Sequence, residues 1–265
     1  MTITMLLIIL GGIGFVVWFD FIDGIKNGIR YRLGPIVAYR HLPEHTRLVL
    51  LVTAVLLICG TTGIFAAEYS NPETIGNMDL SDKLLNSLFQ SVTFRTAGFA
   101  SVPQENLTEI SCIIGYILMF IGGSPVGTAG GVKTVTAFLV VMNALSYING
   151  KKENVIFHRS VSNEMMRKAA AVVMVSASVV FTMTIILMTG CKIGLTDALF
   201  EIMSSLGTVG LTRAITPNLN SYGKSVVIVA MYLGRIGPIS MACFFARNAG
   251  MKNKISHSEG IFYVG

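Results

Sequence analysis

Charged and reactive side chains are scarce in this chain. Of its 265 residues only 13% are charged, and it carries one tryptophan, four histidines and four cysteines. Cys59, Cys112, Cys191 and Cys243 lie far apart and mostly inside apolar segments, with no paired spacing of the kind that zinc or a redox pair requires. They read as packing residues. His41, His45, His158 and His257 fall in polar linkers or the tail, again without ligand spacing. No Walker sequence, zinc-protease motif, dinucleotide fingerprint or nucleophile elbow can be placed. The apolar segments also lack the paired aspartates, or the serine and histidine, that an intramembrane protease needs. No enzyme chemistry and no covalently bound cofactor is expected.

What the chain has is apolar length. Hydrophobic residues make up 52% of it and its mean hydropathy is +0.67, far from a soluble domain and in keeping with an all-α polytopic membrane protein. Apolar runs lie near Ile3 to Phe19, Leu48 to Ala67, Ile110 to Phe120, Val132 to Leu145, Ala169 to Met188 and Val226 to Ala246; a span needs about 20 residues. The net charge of +6 is confined to alternate loops. Lys26, Arg30, Arg32, Arg40 and Arg47 follow the first run, Lys151, Lys152, Arg159, Arg167 and Lys168 precede the fifth, and Arg247, Lys252 and Lys254 follow the last. Basic loops on one side mark that side as cytoplasmic and argue against nucleic acid as a partner. Glu68, Glu73, Asp79, Asp82, Glu105 and Glu109 fall on the other side, where they would draw cations towards a pore mouth.

Between the second and third runs, Lys83 to Phe94 is too short to cross; a helix of a dozen residues covers about 18 Å, half a membrane. It must enter and leave on the outer side if the following segment is to return to the basic loop. Ser81 or Asp82 is expected to cap its outer end, leaving the negative end of the helix dipole at the membrane centre. The same grammar recurs over Thr196 to Ser205. Each half-helix runs into a glycine turn, Thr96-Ala97-Gly98-Phe99 and Thr208-Val209-Gly210-Leu211, whose backbone carbonyls can replace the water around a cation. Gly98 and Gly210, and the Phe89-Gln90 and Phe200-Glu201 pairs, align with a one-residue slip, which marks an internal repeat. The aquaporin-type Asn-Pro-Ala signature is absent from both turns.

Gly122, Gly123, Ser124, Pro125, Val126, Gly127, Thr128, Ala129, Gly130 and Gly131 interrupt the span after the first turn. Five glycines and a proline in ten residues do not continue a helix. The run reads either as a flexible plug in the pore or as a kink between two shorter helices. Arg235 lies mid-span, where an unpartnered arginine costs on the order of 3 kcal/mol; it either faces the pore and contacts the plug or pairs with Glu201 or Asp197. Arg95 and Lys133 lie nearer helix ends, where snorkelling explains them. Gly11, Gly12 and Gly14 in the first run permit close helix contact.

Four motifs in order, Ser91 to Phe99, Leu118 to Pro125 with Thr128 to Lys133, Gly207 to Leu211, and Gly234-Arg235-Ile236-Gly237-Pro238, resemble the Trk/Ktr/HKT potassium transporter superfamily, most closely its bacterial Ktr-type membrane subunits. The resemblance implies tandem potassium-channel-like helix, pore-loop, helix repeats, four of them around one pore. It would make residues 1–20 the last helix of an otherwise missing second repeat, 48–149 the third repeat and 169–248 the fourth. Residues 21–47 and 150–168 are then cytoplasmic linkers and 249–265 a cytoplasmic tail. It further implies that Gly98 and Gly210 are filter glycines, that 122–131 is an intramembrane gating loop, and that Arg235 lines the pore against it. Val126 stands where the family pattern leads one to expect glycine. K+ is the transported ion so implied, with Na+ as a coupling ion in some members. The implied partners are a second pore subunit in a homodimer, a cytosolic nucleotide-binding regulatory ring and the lipid bilayer of the cytoplasmic membrane. The competing expectation is a non-conducting half-module that needs a complementary chain.

Overall fold

The computed structural model describes residues 1–30, 35–151, 153–157 and 159–237. Pro238, Cys243, His158, His257, the end of the expected fourth repeat and the tail lie outside the described residues. The described helices are α1 (Thr2–Gly12), α2 (Phe15–Arg30), α3 (Pro35–His41), α4 (Glu44–Glu68), α5 (Leu80–Thr93), α6 (Glu109–Phe120), α7 (Thr134–Ile148), α8 (Asn163–Cys191), α9 (Leu195–Leu206) and α10 (Ser221–Ile236). One small hairpin, β1 (Val155–Ile156) with β2 (Arg159–Ser160), sits in the linker before α8.

Among the described residues α4 and α8, with 25 and 29 residues, are each long and apolar enough to cross a bilayer. Pro43 precedes α4 with its ring unable to donate, and Glu44 places a negative charge on the first turn. Ser162 caps α8 by accepting from the Met165 amide. The half-length helices are there as expected: α5 has 14 residues and α9 has 12. The expected cap of α5 is not. That helix starts at Leu80 with Asp79 in the cap position making no side-chain cap bond, and Asp82 stands in its first turn. Glu68 also departs from the expected acidic outer face. It is 1% exposed, and its carboxylate accepts from Thr108 N (2.9 Å), Asn71 Nδ2 (2.7 Å) and Thr74 Oγ1 (2.6 Å), tying the end of α4 to the start of α6.

The two halves repeat each other in three dimensions. α4, α5, a 3-10 turn at Gln104–Asn106 and α6 correspond to α8, α9, a 3-10 turn at Thr216–Asn218 and α10. In the first half Gln90 of α5 bonds Gln104 in the turn; in the second, Glu201 of α9 accepts from Thr216 in the turn. α5 packs on α4, while α9 lies against α6, α8 and α10. The halves meet at Phe200, whose ring stands edge-on to Phe94 (6.3 Å) and Tyr116 (6.2 Å). Ile64, Leu118, Met119, Val209 and Leu211 fill the same core.

The first apolar run departs from a single span. It breaks between α1 and α2, whose axes differ by 101°. Gly14 at the break has φ +94, a conformation that continues no helix and that side chains resist. The span after the first turn is broken as the glycine content predicts, into α6 and α7.

Candidate ion-conduction site

Each half-helix ends by delivering its chain into a turn that folds back on it. Phe99 N donates to Thr93 Oγ1 (2.8 Å) and that hydroxyl donates to Phe99 O (2.7 Å); in the second half Gly210 N donates to Ser204 Oγ (3.1 Å). Both closures span six residues and use a hydroxyl of the helix itself. Within the turns Thr96 (φ +68) and Gly98 (φ +79) are left-handed, and Thr208 (φ +54) and Gly210 (φ +91) repeat the pattern. In each turn the positive φ falls on the first and third residues of the stretch, with Ala97 or Val209 between them. A β-branched threonine in this region is an outlier, and two at equivalent positions mark strain that the surroundings hold. The turns lie side by side: a Cβ on Gly98 would collide with Val209 O. Ala97, Phe99, Val209 and Leu211 complete the two stretches, with Phe99 54% exposed on the open side and Val209 and Leu211 buried against the core.

Outside the turns the second half is held by charge. Glu201 accepts from Thr212 (2.8 Å) and Thr216 (2.7 Å). Arg213 donates to Asp197 (2.8 Å), to the carbonyls of Gln104 (3.0 Å) and Glu105 (2.9 Å), and to Cys112 Sγ (3.0 Å). Burial opposes the Arg213 charge, and the hydrogen bond and charge of Asp197 outweigh it, leaving the guanidinium above its ordinary pKa. Asp197 and Glu201 are thus engaged elsewhere, and neither pairs with Arg235.

Beneath the turns lies the glycine-rich loop. It leaves and returns at one level, where Ile121 and Val132 form a bridge and Gly122 N donates to Val132 O (3.0 Å). A side chain at Gly130 would run into Thr208 and Gly207 O, so the loop touches the second turn directly. Three cations hold its carbonyls: Arg95 donates to Gly122 O (3.2 Å), Lys133 to Ala129 O (2.5 Å) and Arg235 to Thr128 O (3.1 Å). Arg235 and Lys133 line a cavity of about 430 Å³ together with Gly127 to Gly131. Arg95 and Lys133, which snorkelling alone was expected to explain, thus each have a carbonyl partner in the loop. Gly123, Ser124, Pro125 and Gly127 form the tip, which rests on the break between α1 and α2 through Ser124 N to Gly12 O (3.0 Å) and Phe15 N to Val126 O (3.1 Å).

The model of the TrkH cation transport protein family matches residues 1–255. This chain belongs to that family. Ktr system potassium uptake protein B of Bacillus subtilis is 36% identical to this TrkH-family chain over 98% of it and 55% of the relative. The protein of the same name from Vibrio alginolyticus is 34% identical over 91% and 51%, and the potassium/sodium uptake protein NtpJ of Enterococcus hirae is 33% identical over 87% and 49%. These relatives are named as transport proteins, not enzymes. The crystal structure of the potassium transporter TrkH from Vibrio parahaemolyticus superposes with a TM-score of 0.69 at 16% identity, over 91% of this chain and 50% of that one. It shares the helical membrane fold. The chain spans about half the length of these relatives.

Proposed function

We propose that this chain supplies half of a potassium pathway for uptake across the cytoplasmic membrane. The backbone carbonyls of Thr96 to Phe99 and Thr208 to Leu211 are two strands of a selectivity filter, and the loop 122–131, held by Arg235, is the gate beneath it. One observation carries the reading: two turns with the same alternation of left-handed residues lie side by side, each at the C-terminal end of a half-length helix. Both helix ends bring partial negative charge to the place where a dehydrated cation would rest. Two strands offer too few oxygens to encircle an ion. The other two correspond to the part of the relatives' length that this chain does not match, in the same polypeptide or in a complementary one.

The gate works by charge and by obstruction. The loop crosses below the turns, and three cations fixed on its carbonyls oppose a potassium ion there. Movement of the loop off Thr208 would open the path. The names of the relatives support potassium as the cargo, and the name of the Enterococcus protein supports sodium as a second ion. A homodimer of pore subunits, with a cytosolic nucleotide-binding ring on the basic inner loops, belongs to the same proposal. Expression of the intact gene product in potassium-uptake-deficient bacteria is expected to restore growth at low potassium. Absence of growth with the protein present in the membrane would overturn it.

A further inference from the structure

The break between α1 and α2 is a built feature. Several of the backbone groups freed there from helix bonding have found other partners: the chain's single tryptophan, Trp18, donates its indole N–H to Leu10 O (2.9 Å), Gly12 O accepts from Ser124 N (3.0 Å), and Phe15 N donates to Val126 O (3.1 Å). The last two bonds go to the tip of the glycine-rich loop. Gly14 lies between them with φ +94, and a Cβ there would stand 2.5 Å from Pro125 O. No residue but glycine permits that approach without displacing the tip.

The tip pays for this seat at Val126. Its φ is +58, in the left-handed region that β-branched residues avoid, and its side chain is 61% exposed. Side-chain packing is therefore not what holds the strained backbone; the bond from Phe15 N to the Val126 carbonyl is. The cation grips at Gly122, Thr128 and Ala129 flank the tip on both sides, so the α1–α2 break is what fixes residues 124–126 themselves.

We propose that the α1–α2 break is a latch for the gating loop, with Gly14 as a positioning residue and the strain at Val126 biasing the tip towards release. This rests on the reading of 122–131 as the gate. Movement of α1 relative to α2 would then open or close the path by releasing or seating the tip, without touching the filter.

Two variants move the latch in opposite directions. Val126→Asn keeps a side chain but tolerates the left-handed region, so it favours the seated tip; Gly14→Ala forces Pro125 away and favours release. Relief of one left-handed residue corresponds to roughly tenfold in the seating equilibrium. Hydrogen–deuterium exchange of the purified protein reads it through the Phe15 and Ser124 amides. Exchange is expected to slow about tenfold in Val126→Asn and to quicken in Gly14→Ala. Rubidium uptake by cells carrying the intact gene product is expected to fall in the first variant and rise in the second. A merely structural role would lower uptake in both. Unchanged exchange in Val126→Asn, which perturbs no packed side chain, overturns the latch even if Gly14→Ala fails to fold. Exchange that shifts while uptake stays constant overturns control of transport by the loop, and an uptake response to Arg235 variants alone leaves the gate standing and removes the latch.

Discussion

Replacing Arg235 with glutamine separates the two ways in which that residue can restrain an ion. Its guanidinium donates to Thr128 O at 3.1 Å and borders the cavity of about 430 Å³ below the turns. A glutamine amide can still donate towards the loop but carries no charge. A potassium ion passing within about 7 Å of the guanidinium, at an effective dielectric constant of about 20, is opposed by about 2 kcal/mol. That corresponds to roughly 30-fold in rate. Lys133 and Arg95 keep their own charges on the loop in the variant, so the gain is bounded near that figure. Rubidium influx into cells or vesicles containing the intact gene product is the assay, with the amount of inserted protein measured alongside. Arg235→Gln is expected to raise influx several-fold to roughly 30-fold, and Arg235→Lys to leave it near the wild-type value. Influx that is unchanged in Arg235→Gln, or equally raised in Arg235→Lys, would refute the charge barrier.

Arg213→Gln removes a 14%-exposed guanidinium that joins Asp197 to two carbonyls of the other half. Charged hydrogen bonds contribute about 1.5 to 3 kcal/mol each with strong overlap, so a loss of about 2 to 3 kcal/mol and a thermal midpoint lower by about 5 °C or more are expected in detergent. Glu201→Ala strips two threonine hydroxyls of their acceptor; a destabilisation of about 2 kcal/mol or more, seen by thermal unfolding, is expected with it. Gly98→Ala puts a methyl group against Val209 O and is expected to abolish uptake while the protein still inserts, as surface labelling and immunoblotting would show.

Length and composition were legible from the residues alone because they are scalar properties. The runs in α4 and α8 exceed a bilayer, α5 and α9 fall short of one, and five glycines between α6 and α7 forbid a helix. Direction was not legible. Hydropathy places Arg95 near a helix end but does not say that it turns inward to Gly122 O, and no local signal links Arg213 to carbonyls more than a hundred residues away. Glu68 counts as an acid on the outer face until the four hydrogen bonds from Asn71, Thr74 and Thr108 are in place. Gly14 is one of several glycines in an apolar run, and its left-handed backbone follows from the loop it supports. Thr96, Thr208 and Val126 take left-handed conformations against their own preferences, which only tertiary structure can impose.

Thallium anomalous scattering from the complete potassium pathway tests the central claim most directly, because it sees the ion against the backbone. The account predicts thallium density on the axis between the carbonyls of Thr96 to Phe99 and Thr208 to Leu211, lost when potassium is in excess. Ordered thallium elsewhere in the protein, with none between those two turns, would contradict it.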